Sequence, residues 1–188
     1  RRNRSDSVPV ILTVGRLDWM KDFPSMLDAF ACFTQFEPES RFKIAGEGLL
    51  RPQLEEQAQR LGIADKVRFL GHCNDVPAVL GSSDIFLFAT SPTEGLGLVI
   101  HEAMAAGTPV VCTDIGPCRE VTGDGIYGIL VPPHDPEALA QTMLALWRDP
   151  VQRAALAQQA RKFVFQHYSM ETCGRQLYDL LFPSASAS

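Results

Sequence analysis

Short apolar runs that stop at a glycine, each followed by residues at helical spacing, recur along this chain and leave it few architectures. Val8-Pro9-Val10-Ile11-Leu12-Thr13-Val14 stops at Gly15, Arg41-Phe42-Lys43-Ile44-Ala45 at Gly46, and Val67-Arg68-Phe69-Leu70 at Gly71. Asp84-Ile85-Phe86-Leu87-Phe88-Ala89 and the runs 108–114 and 127–131 continue the series. Runs this short and this apolar read as parallel strands buried on both faces. Helical spacing fills the gaps: Phe23, Met26, Leu27, Phe30 and Thr34 share one face, with Asp22 before them and Pro24 in the first turn. Further helices are expected over 51–61, 76–80, from the glycines near 97 onward, and after Asp135-Pro136, which caps a helix carrying Leu139, Met143, Leu146 and Trp147. Two more are expected over 150–168 and 169–182. The alternation predicts an α/β fold: a Rossmann-like, doubly wound, parallel six-stranded sheet with helices on both faces. Residues 1–8 read as linker, 9–182 as one domain, and the Ser/Ala run 183–188 as a disordered tail.

In such a sheet ligands lie outside the carboxyl ends of the strands. Four segments fall there: 15–21, 46–49, 71–75 and 89–97. The last opens the stretch Ser91-Pro92-Thr93-Glu94-Gly95-Leu96-Gly97-Leu98-Val99-Ile100-His101-Glu102-Ala103-Met104-Ala105-Ala106-Gly107. Its glycines allow close approach of the backbone, and the helix that follows presents unpaired N–H groups suited to a phosphate. Glu94 and Glu102 stand eight positions apart. Carboxylates beside a phosphate find partners in hydroxyls, so the ligand is a sugar-phosphate compound, with Glu102 placed for two ribose hydroxyls. Arg16 and Lys21, in the loop after the first strand, are a planar fork and a point charge for a diphosphate, and would offset charge that builds on it as it leaves.

Composition narrows the class further. A net charge of −5 over 188 residues argues against nucleic acid as a partner. No apolar run approaches the roughly 18 residues of a membrane span. The five cysteines are scattered, without the spacing of a zinc or redox site, and read as reduced thiols in a cytoplasmic protein. The four histidines are equally dispersed, so no metal is expected. The first loop, Gly15-Arg16-Leu17-Asp18-Trp19-Met20, lacks the G-x-G-x-x-G of dinucleotide enzymes.

The motifs Gly15-Arg16-Leu17 with Lys21, Gly46-Glu47-Gly48, Val67 to Gly71 and Glu94 to Val111 resemble the C-terminal, donor-binding half of GT-B retaining glycosyltransferases, the glycosyl transferases group 1 (family 4). Residues 116–120, read as a loop, and the strand Gly128-Ile129-Leu130-Val131 extend the likeness, which runs from about 9 to 181. The resemblance implies a donor site made of Gly15, Arg16, Lys21, Glu94, Gly95, Leu96, Gly97, Leu98, Val99 and Glu102. Within it Glu94, Arg16 and Lys21 are the catalytic candidates: Arg16 and Lys21 on the diphosphate, Glu94 on the transferred sugar and Glu102 on the ribose. The donor would be a UDP-, GDP- or ADP-sugar, used without a metal or other cofactor. A missing N-terminal domain would hold the acceptor, make any peripheral membrane contact, and leave this half inactive by itself. Three positions depart from the pattern: Asp22 and Leu50, where glycine and proline are common, and His101, in place of an apolar residue. A sugar-nucleotide epimerase and a non-catalytic nucleotide-binding scaffold of the same fold stay open as alternatives.

Overall fold

The computed structural model describes residues 8–90 and 97–182. The expected linker up to residue 7, Glu94, Gly95, Leu96 and the tail 183–188 lie outside the described residues. The elements run β1 (Val10–Val14), α1 (Phe23–Thr34), β2 (Arg41–Ala45), α2 (Arg51–Arg60), β3 (Val67–Gly71), α3 (Val76–Gly81), β4 (Ile85–Phe88), α4 (Leu98–Ala106), β5 (Val110–Thr113), α5 (Gly116–Thr122), β6 (Ile129–Val131), α6 (Pro136–Arg148), α7 (Pro150–His167) and α8 (Met170–Leu181). The six strands lie in the order β3-β2-β1-β4-β5-β6, every neighbouring pair parallel. The chain works outward from β1 to β3, returns to β4 and works outward the other way, so the switch point lies between β1 and β4.

Alternation along the strands builds a core on each face. Ile11, Ile85 and Leu87 join α1, α2 and α6 on one face. Leu12, Phe86 and Phe88 join α3, α4, α5 and α7 on the other. Aspartates start the helices: the carboxylates of Asp22, Asp75, Asp135 and Asp149 each accept the amide three residues on, with a proline in the first turn. All five residues expected on the inner face of α1 are buried, with Ala29 and Phe33 beside them. β3 keeps its expected span, whereas β1, β4, β5 and β6 are shorter than expected by a residue or two at their ends. Val8 is exposed, and the Tyr127 ring leaves the sheet to stack on Phe163, 4.0 Å between centroids.

One expectation is corrected. Residues 116–120, read as loop, begin the helix α5, which buries Cys118, Val121 and Thr122 and ends at Gly123 with φ 59°. Pro117 in the first turn and the i, i+3, i+4 spacing of those buried residues are the signals that favour a helix. Helix α8 has no buried residue, and its Met170, Leu177, Leu180 and Leu181 are exposed.

The carboxyl edge is drawn tight by backbone contacts that only glycine permits. A Cβ on Gly46, whose φ is +141°, would lie 1.9 Å from the Gly15 carbonyl oxygen. Backbone cannot yield as a flexible side chain does, so Gly46→Ala should lower stability by about 1–3 kcal/mol. A methyl group added at Gly81, which ends α3, would meet nothing within 4 Å, so Gly81→Ala should be neutral or slightly stabilising. Urea denaturation of both variants checks the contrast.

Candidate functional site

Three loops meet at the carboxyl ends of β1, β2 and β3 and are tied by main-chain hydrogen bonds. The Gly15 amide donates to the Ala45 carbonyl (2.9 Å), the Leu17 amide to Glu47 (2.9 Å) and the Gly46 amide to Gly71 (2.8 Å). The Leu50 amide returns to the Leu17 carbonyl (3.1 Å). A fourth segment joins from β4: the Asp22 amide donates to the Ala89 carbonyl (3.0 Å), and the Thr90 hydroxyl to the Met20 carbonyl (2.8 Å). Thr113, at the end of β5, holds Thr90 in turn, accepting its amide at 3.2 Å. The loop carrying both expected cations is therefore anchored at each end and in the middle.

Lys21 runs back along β1. A Cβ on Gly15 would fall 2.4 Å from its Cε, so the glycine makes room for the lysine stem. Its Nζ sits 4.5 Å from the centroid of the Phe88 ring, a cation–π contact that helps to place the charge. The same ring touches Gly97, where a Cβ would lie 3.0 Å from Phe88 Cζ. One aromatic side chain thus seats the ammonium of Lys21 and the start of α4 together. Gly97 gives α4 no side-chain cap, and the amides of Leu98 and Val99, in the first turn, come before any carbonyl of the helix that could take them. A cation next to a helix start favours an anion, and the two stand across the switch point of the sheet.

Arg16 is mostly exposed, with its Nε on Asp18 Oδ2 and Nη2 4.0 Å from Met20 Sδ. Asp18 also accepts the Met20 amide at 3.1 Å through Oδ1, so it fixes both the turn and the guanidinium. Glu102 is exposed, on the first turns of α4. The structure therefore brings Gly15, Lys21, Gly97, Leu98 and Val99 together, with Arg16 on the adjoining turn and Glu102 further along the helix. Glu94, Gly95 and Leu96 lie outside the described residues. Asp18, Phe88, Thr90 and Thr113 were not singled out from sequence. A buried threonine at a strand end, and an aspartate two residues after Arg16, were the available signals.

These features define a doubly wound α/β domain with its loops gathered at the switch point. The family model described as glycosyl transferases group 1 matches residues 1–163, and the chain belongs to that family. It is 36% identical over 183 residues to a D-inositol 3-phosphate glycosyltransferase of Corynebacterium urealyticum, covering 93% of this chain and 43% of the relative. Against an alpha-D-kanosaminyltransferase of Streptomyces kanamyceticus it is 31% identical, over 92% of this chain and 45% of that one. Among solved structures, Anabaena HepE in complex with UDP superposes with a TM-score of 0.85 at 28% identity, over 93% of this chain and 48% of that one. The chain thus spans less than half the length of these relatives. The C-terminal domain of the Francisella tularensis group 1 protein LpcC, crystallised by itself, superposes with a TM-score of 0.78 at 26% identity, over 87% of this chain and 89% of that one.

His101 has a different task from its neighbour Glu102. Its ring packs 4.2 Å from that of Tyr168, the residue that ends α7, and Nε2 is buried with no partner among the described residues. Burial lowers its pKa below the ordinary 6.5. The unfolded chain then binds the proton more readily than the folded one, so this contribution is complete above about pH 6.5 and is lost as pH falls toward the folded value. Replacing the ring with one that does not titrate removes that dependence. Between about pH 7 and pH 5, the wild type should lose more stability than His101→Phe, read as the shift in urea midpoint.

Proposed function

We propose that this chain is the donor-binding domain of a glycosyltransferase that moves a sugar from a nucleoside-diphosphate sugar to an acceptor held mainly by a second domain. The observation that carries the reading is the arrangement of Lys21 and the uncapped start of α4 around the Phe88 ring, at the switch point where a nucleotide belongs. Family membership supports it, as does the likeness to a protein solved with UDP and with UDP-glucose.

In this reading the amides of Leu98 and Val99 and the Lys21 ammonium hold the diphosphate, and Arg16 turns from Asp18 to reach it. Negative charge grows on the diphosphate as the bond to the sugar breaks. Preorganised cations and a helix start stabilise that charge more than they stabilise the ground state, which is what lowers the barrier. Glu102 takes the ribose hydroxyls, and Glu94, with the amides of Gly95 and Leu96, takes the sugar. The transfer proceeds with retention and no metal enters it. The reaction is cytoplasmic, and the domain alone transfers no sugar.

Calorimetric titration with UDP, GDP and ADP tests the site. One nucleotide should bind selectively, and Arg16→Ala or Lys21→Ala should weaken it about tenfold or more, as loss of a charge-assisted hydrogen bond costs about 1.5–3 kcal/mol. The two glutamates should separate. Glu102→Ala should weaken UDP and UDP-glucose alike, whereas Glu94→Ala should remove only the advantage of UDP-glucose over UDP. Equal losses for both ligands in both variants would contradict the assignment.

A further inference from the structure

On the side of the sheet that carries α1, α2 and α6 lies a pocket of about 220 Å³ that adjoins the donor site and shares Lys21 with it. Trp19, Pro24 and Leu50 give it apolar walls, and Lys21, Asp22 and His134 give it a polar one. Trp19 is 78% exposed although the loop beneath it is held by hydrogen bonds on both sides. Asp22 Oδ2 lies 2.8 Å from Nδ1 of His134, and its other oxygen caps α1 on the Ser25 amide at 3.2 Å. His134 holds this position at φ 56°, a conformation that costs a side chain energy. A strained histidine on a residue 112 positions away in sequence, at the rim of a cleft, is a sign of function.

We infer that this pocket is a subsite for a neutral sugar ring of the acceptor, with Trp19 as its stacking platform and the Asp22–His134 pair as its hydroxyl acceptors. The inference rests on the reading above and names the acceptor class, a glycoside. The carboxylate accepts the Nδ1 proton, and in the neutral tautomer Nε2 of the histidine is an acceptor too. Acceptors call for donors, which hydroxyls supply, and with Lys21 engaged by the diphosphate the charge left facing the pocket is that of Asp22, which suits a neutral ring. The flat C–H face of a pyranose suits Trp19, Pro24 and Leu50, and an aromatic body holds such a face at little entropic cost. The volume is below the roughly 300–1,000 Å³ of pockets for drug-sized ligands, so it takes one ring and not a chain.

The chain has two tryptophans, so its indole N–H signals in a ¹H–¹⁵N spectrum can be assigned with Trp19→Phe. Methyl α-D-glucopyranoside, methyl α-D-mannopyranoside and N-acetylglucosamine are titrated to tens of millimolar, each with saturating UDP, and uridine alone serves as the control. At least one sugar should shift the Trp19 signal. Trp19→Ala should weaken that sugar at least tenfold, read on the His134 ring signals, and leave UDP affinity unchanged. His134→Gly relieves the positive φ, so it should fold at least as stably as the wild type and still weaken the sugar severalfold. Absence of any sugar-dependent shift, an equal shift with uridine, or full sugar affinity in both variants would overturn the subsite. Failure of UDP, GDP and ADP alike to bind would count against the donor reading instead, and the two results are read separately.

Discussion

The approach of the β1, β2 and β3 loops to one another, backbone against backbone, is the constraint on which the rest of the site depends. Gly46 can have no side chain because Gly15 occupies that space, and Gly48 none because the Leu17 carbonyl would lie 2.2 Å from its Cβ. With those side chains absent, the amides of Gly15, Leu17, Gly46 and Leu50 find carbonyls on neighbouring loops. The loop bearing Arg16 and Lys21 is therefore a fixed edge of the sheet. Preorganisation of this kind matters more than any one contact, since a group already in place loses little entropy when its ligand arrives.

Chemistry is sorted by the two faces of the sheet. Face one, with α1, α2 and α6, is sealed by large apolar side chains such as Phe23, Phe30 and Phe42. Face two carries α4, whose first turn must stay open toward the switch point, and there Phe88 reconciles two demands. Its ring fills the core beneath α4 and also supplies the surface on which Lys21 rests. His101 shows the same economy. On the helix that bears Glu102 it turns to Tyr168, so α4 is pinned against α7 by one face while the other stays available to ligand.

How far the sequence speaks can be judged residue by residue. Alternation of Ile85, Phe86, Leu87 and Phe88 between the two cores follows from the period of a strand, and the capped starts of α1, α3 and α6 follow from Asp and Pro at fixed offsets. Lys21 and Gly97 were legible because a cation after the first strand and a glycine at a helix start have few other uses. What escaped is contact between segments distant in the chain. Thr113 reaches Thr90 across 23 positions, Thr90 reaches Met20 across 70, and His134 reaches Asp22 across 112. Only the stacking of β1, β4, β5 and β6 makes these neighbours, and no local period encodes it. Helix α5 escaped for another reason: at seven residues it is too short for periodicity to stand out from a loop with Gly and Pro.

Both proposed diphosphate cations are held in place before any ligand arrives, and the magnitudes show why that does not blunt the site. The Arg16–Asp18 pair is solvent-exposed on the arginine side, where side-chain accessibility is 73%, and such pairs are worth about 0–1 kcal/mol. Hydrogen bonds from the same guanidinium to a diphosphate are worth about 1.5–3 kcal/mol each. The exchange therefore favours the ligand, while Asp18 keeps the arginine from wandering when the cleft is empty. For Lys21 the contact with Phe88 draws on the ring's quadrupole. Arg16 thus rests on a partner that a diphosphate can outbid, and Lys21 lies against an aromatic face that a diphosphate leaves undisturbed.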